Sequence, residues 1–186
     1  MAVTVTPSTF ALVMFDAAAI EQITADVATR LGLGDIDVAV EVDETTPIAR
    51  ISATGPAGGP VVVHADSGAL EDTRKPRQLG EAVAAGSLGR VLMRLKDRWD
   101  GGFADAPADG DLSLAQAVAW DTYCVARLDR AGIAANQQRW RYAFRNRHGF
   151  TDIADRTFDQ IWAADSLSWA ELDGLSAAAV AARQPA

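Results

Sequence analysis

The stretch Ile36-Asp37-Val38-Ala39-Val40-Glu41-Val42 (IDVAVEV) decides the fold class, because its large apolar residues recur at every second position. Side chains of a β-strand alternate between two faces, so Ile36, Val38, Val40 and Val42 share one face and Asp37 and Glu41 the other. One buried and one wet face is the pattern of an antiparallel sheet with one side in solvent. Working outward, residues 47–54 read as a weaker strand, and Val61-Val62-Val63-His64 as a stronger one. The tract Gly55-Pro56-Ala57-Gly58-Gly59-Pro60 between them is a turn, so residues 47–65 predict a hairpin. Upstream, residues 10–15 (FALVMF) read as a short buried strand. Asp16 then caps a helix with Ile20, Ile23, Val27 and Leu31 on one face, stopped by Gly32 and Gly34.

From residue 79 onward the period becomes helical. Leu88, Val91, Leu92, Leu95 and Trp99 form an apolar stripe, in a helix expected to start near Leu79. Residues 100–111 (DGGFADAPADGD) are loop by composition. Helices follow at about 113–131 and 135–147, with a third capped by Thr151 or Asp152 that turns Ile153, Phe158, Ile161 and Trp162 inward. An Ala-rich helix at 168–182 closes the chain, with the last residues frayed. The expected fold is α+β: a small, mainly antiparallel sheet in the N-terminal third, packed against about five helices. It forms one domain over residues 1–186, with a β-rich part at 1–78 and a helical part at 79–186.

The 186 residues carry 25 acids and 17 bases, a net charge of −8. The charge is segmented: residues 1–70 are net −7, 71–99 are +3, 100–135 are −4, 136–148 are +4 without an acid, and 149–186 are −4. The acidic total disfavours indiscriminate binding to nucleic acid or membrane surfaces. A single Cys excludes an intrachain disulfide framework and an all-Cys zinc site. The N-terminus lacks the basic and apolar regions of a signal peptide, and no apolar run reaches the roughly 20 residues that span a bilayer. The chain therefore reads as soluble and cytoplasmic.

Four constellations are candidates for function. The polar loop 64–78 offers His64, Asp66, Glu71 and Arg74, residue types suited to general-base or ligand-binding work. Arg90, Arg94 and Arg98 recur at i, i+4, i+8 and predict a guanidinium line along one helix, with Asp97 beside it. Residues 136–150 (NQQRWRYAFRNRHGF) interleave Arg139, Arg141, Arg145 and Arg147 with four aromatics. Trp140, Phe144 and His148 form one column of that helix, and Arg141 and Arg145 another. Asp121 falls on the line of Leu114, Val118, Val125 and Leu128, so it is expected at a buried or edge position, paired with an Arg of the 135–147 helix. Cys124 reads as a buried small hydrophobe. His64 and His148 are too far apart to suggest a metal site, and no nucleotide-binding Gly-rich loop is present, so neither metal nor cofactor is expected.

The order strand–helix–three strands–helix in the N-terminal half resembles that of small zincin metallopeptidases, whose helix after the last strand carries HExxH. The helix at 79–99 contains no His, so the resemblance implies a metal-free chain inactive as a peptidase. The function expected is non-catalytic: binding or regulation through protein–protein contact, as a homo-oligomer or accessory subunit. The Arg residues of the two basic segments are the interface candidates. The alternative is a small-molecule enzyme or binder with a pocket between loop 64–78 and the helical half, using His64, Asp66, Glu71, Arg74 and Asp121. An interaction protein should expose an apolar patch with Trp or Phe near the Arg helices, whereas an enzyme should converge titratable groups in a closed pocket.

Overall fold

The computed structural model describes residues 1–183; the fraying expected at the very end of the chain lies largely outside them. Two compact units are present, one of Met1–Lys96 with Ala131–Ala134, the other of Asp97–Arg130 with the chain from Ala135 onward. The change of character expected near residue 78 thus falls inside the first unit. Among the described residues the fold is α+β, with a four-stranded sheet in the N-terminal part and six α-helices. No helix among the described residues is long and apolar enough to cross a membrane.

The first unit contains β1 (Val3–Thr6), α1 (Ala17–Arg30), β2 (Val38–Asp43), β3 (Ile51–Thr54), β4 (Val61–Asp66) and α2 (Glu81–Trp99), the last three residues of which belong to the second unit. The strand order is β1-β2-β4-β3. The IDVAVEV alternation appears from Val38 onward, with Val38, Val40 and Val42 buried and Glu41 exposed, while Ile36 precedes the strand and is only half-buried. The pairing corrects the expectation of a mainly antiparallel sheet: β1–β2 and β2–β4 are parallel, and only β3–β4 is antiparallel. The reason lies in the connections. Helix α1 crosses between β1 and β2 and so returns the chain in the same direction. The hairpin turn at 55–60 sends β4 back between β2 and β3, which leaves β3 on the outer edge.

The outer strand β1 is Val3–Thr6, and residues 10–15 are not the buried strand expected. Leu12 and Met14 are exposed, and the Ala11 and Leu12 amides donate to Glu44 Oε2 at 2.8 and 2.6 Å. With these donors held by a side chain, the segment joins no ladder beyond one bridge between Met14 and Gln78. Asp16 caps α1 by accepting from the Ala18 amide at 3.0 Å. On α1 the buried face takes Thr24, whose hydroxyl donates to the Ile20 carbonyl, while Ile23 stays half-buried. Helix α2 starts at Glu81, and Leu88, Val91, Leu92 and Leu95 of its stripe are buried.

The second unit is built from α3 (Leu114–Arg130), α4 (Gln137–His148), α5 (Asp152–Ala163) and α6 (Trp169–Ala181), with α3 packed against the other three. Side chains cap all four of these helices: Ser113 with Gln116 forms a reciprocal capping box on α3, Asn136 caps α4, Thr151 caps α5, and Ser168 with Glu171 forms a second capping box on α6. The loop at 100–111 is anchored by Phe103, which stacks on Trp120 at 4.9 Å; Trp120 in turn meets Trp169 at 5.4 Å.

Beside these rings lies the carboxylate buried in this unit, and it is Asp97 rather than Asp121, which is only half-buried. Asp97 is 2% exposed and receives Arg127 Nη1 at 2.7 Å, Nη2 at 2.6 Å and the Trp120 indole N–H at 2.8 Å. Burial works against the Arg127 charge, but these bonds outweigh it and the guanidinium is held more basic than usual. Breaking such a pair leaves a buried charge without compensation, at a cost of about 3–5 kcal/mol. Arg127→Ala should therefore lower stability by an amount of that order in urea unfolding followed by tryptophan fluorescence. The double variant Asp97→Leu/Arg127→Met should be more stable than Arg127→Ala.

Candidate functional site

Three parallel strands end side by side in the first unit, and their polar ends form an open groove. Thr6, Glu41, His64 and Ser52 are in register across β1, β2, β4 and β3. His64 Nδ1 lies 3.0 Å from Glu41 Oε2, with both side chains more than half exposed. A neutral imidazole that donates through Nδ1 keeps its Nε2 lone pair available to a ligand. The groove, about 350 Å³, is lined by these two residues with Thr6, Pro7, Asp43 and Asp66. Asp43 accepts from the Thr45 hydroxyl and amide and from the Thr46 hydroxyl, and these bonds hold its carboxyl below the usual range. Asp66 sits 3.1 Å from Arg50 Nε.

The other loop residues singled out from sequence do not line this groove. Glu71 accepts from the Arg77 amide at 2.6 Å and so staples its own turn; Arg74 is exposed in the same turn, where its amide donates to Asp72. Asp121 belongs to the second unit. Among the described residues, no three His, Cys, Asp or Glu side chains converge as a metal site.

The Arg line on α2 is not a solvent-facing ridge. Arg90, Arg94 and Arg98 are all half-buried. Arg98 donates to Asp109 at 2.7 Å and to the Pro107 carbonyl at 2.8 Å, and lies 4.8 Å over the Trp120 ring. It pins the loop at 100–111. Arg90 and Arg94 belong to the first unit and also engage other groups.

On α4 the four arginines divide into two pairs. Arg145 grips Asp155 of α5 through Nε and Nη2, both at 2.6 Å, and this fork holds the Asp155 carboxyl below its usual range. Arg141 binds Asp159 with both Nη groups and lies 4.4 Å over the Phe158 ring. The inner pair thus fastens α4 to α5, whereas Asp121 was the carboxylate expected to meet an α4 arginine. Arg139 and Arg147 are exposed, and neither pairs with a carboxylate among the described residues. Beside them Tyr142 and Phe150 are 60% and 64% exposed and meet edge-on at 5.9 Å, with Ile153 exposed as well. The sequence placed Ile153 in the core. Its exposure follows from the α5 register, in which Ala154, Thr157, Phe158 and Ile161 take the inner face.

His148 anchors the other side of α4. It is fully buried, stacked on Phe144 at 3.7 Å, with Nδ1 3.0 Å from the Phe144 carbonyl and Nε2 2.8 Å from Ser176 Oγ on α6. A carbonyl only accepts, so Nδ1 carries the proton and Nε2 accepts from the serine. Cys124 is buried, 3.7 Å from Asp97 Oδ2.

In comparisons with protein-family models, curated proteins and solved structures, nothing matches the chain.

Burial depresses the His148 pKa below its ordinary value of 6.5. The unfolded chain therefore binds this proton more readily than the folded one, and stability contributed by the neutral ring is complete above pH 6.5 and lost as pH falls below it. Urea unfolding at about pH 7.5 and about pH 5.5 should show a larger acid loss for the native protein than for His148→Gln, which removes the buried ring whose protonation is linked to unfolding.

Proposed function

We propose that this protein is a non-catalytic binding or regulatory protein that works through protein–protein contact, with the outer face of α4 as its docking surface. The observation that carries this reading is the Tyr142–Phe150 pair. Two large rings stand in solvent beside Arg139 and Arg147, in a unit whose other basic side chains are largely engaged internally. Tyr and Arg are the residue types that dominate binding energy at interfaces, and burying an aromatic ring gains about 1.5–3 kcal/mol. Anchors of this kind on a helix already fastened at Arg141, Arg145 and His148 lose little conformational freedom on binding.

A photo-crosslinking side chain at Asn146, central on that face, tests the reading in the protein's own host. A protein adduct of defined mass is expected, lost in the Tyr142→Ala/Phe150→Ala variant and retained in His64→Ala. Absence of any adduct dependent on Tyr142 and Phe150 would overturn it. Replacing Arg141 and Arg145 is a poor test, because those side chains hold α4 to α5.

A second reading, a small-molecule binder, draws on the His64–Glu41 pair in the groove of the first unit. Under it, native mass spectrometry of protein from its host shows a retained small molecule that His64→Ala abolishes and Arg139→Glu leaves in place.

A further inference from the structure

Resting on the α4 reading, we infer that the partner is an acidic amphipathic helix of another protein, with two carboxylates about two turns apart around an aliphatic centre. The chemistry of the face leads to this partner. Arg141 and Arg145 are neutralised by Asp159 and Asp155, so the cations of α4 left facing outward are Arg139 and Arg147. No acid occurs from residue 136 to residue 151, so nothing on the helix itself cancels them.

The spacing sets the geometry of the match. Eight residues of α-helix separate the two arginines by about 12 Å along the axis. Between them lie Tyr142 and Asn146, with the Phe150 ring packed edge-on against Tyr142 and Ile153 exposed on α5. A partner helix that places carboxylates over both guanidinium groups must carry them at i and i+7 or i+8. Leu or Ile one turn in from each would cover Tyr142 and Phe150.

The same charges argue against other occupants. Two-fold pairing with a second copy would bring Arg139 and Arg147 of each α4 against those of its mate. A head-to-tail contact with another region of a second copy would build a closed ring or an open filament, either of which sedimentation would reveal as a large assembly. Nucleic acid meets a chain of net charge −8. The Tyr142 and Phe150 rings also stand 67° apart, not as parallel platforms for bases.

The experiment titrates the intact, isotope-labelled protein with a helical peptide bearing two Glu two turns apart around Leu. The controls are the same peptide with Lys for Glu and a single-stranded DNA oligonucleotide. Expected are amide shifts concentrated at Arg139, Tyr142, Asn146, Arg147, Phe150 and Ile153, with affinity that falls as salt rises. Affinity should drop about tenfold or more in Arg139→Glu/Arg147→Glu and largely persist in Arg139→Lys/Arg147→Lys. Equal binding of the Lys peptide, shifts located elsewhere, tighter binding of the DNA, or self-association through this face in sedimentation would each overturn the inference. The Asn146 crosslink separates the two levels. If the captured segment is neutral or basic, the acidic partner is wrong and the docking face stands; if nothing is captured, both fall.

Discussion

The helical unit depends on one buried ion pair. Asp97 accepts three short hydrogen bonds, two from Arg127 and one from Trp120, and so a carboxylate with almost no solvent contact is fully compensated. Arg127 lies 3.8 Å over the Tyr123 ring, and the Tyr123 hydroxyl receives the Leu167 amide just before α6. Burial raises the Tyr123 pKa, which keeps that hydroxyl protonated and neutral. A single carboxylate thereby orders the start of the unit, the middle of α3 and the approach to α6. The Phe103, Trp120 and Trp169 rings pack around it.

That ordering is what gives α4 two different faces. Its inner face is committed: Phe144 and His148 are buried, and Arg141 and Arg145 are spent on α5. The outer face keeps the residues that the fold does not use. The arginines of one short segment therefore serve two ends, and the carboxylates of α5 decide which arginine serves which.

Much of the fold was legible in local pattern. The alternation from Val38 to Val42, the hairpin turn at 55–60, the Asp16 and Thr151 caps and the α2 stripe all report short-range physics, and all appear in the structure. Strand direction was not legible, because alternation records which face is buried and says nothing of the neighbour's orientation. The segment at 10–15 misled because apolar content alone cannot reveal that Glu44 takes its amides. The buried carboxylate of the helical unit was not legible for a related reason. Asp97 stands among arginines and resembles a solvated position, and its true partner lies thirty residues away on α3. The basic aromatic segment was visible at once, but the division of its arginines became visible only with Asp155 and Asp159 in place.

The edges of the sheet carry a consequence for how the protein behaves at high concentration. An exposed strand edge is a template on which other chains can add and aggregate. Here both edge strands, β1 and β3, are four residues long. Pro7, which has no amide hydrogen, follows β1 directly, and Gly55-Pro56 follows β3. Neither edge offers the run of six or seven residues that stacks into cross-β fibres. The sheet is thereby closed to growth at its sides, so a high protein concentration does not turn its edges into a liability.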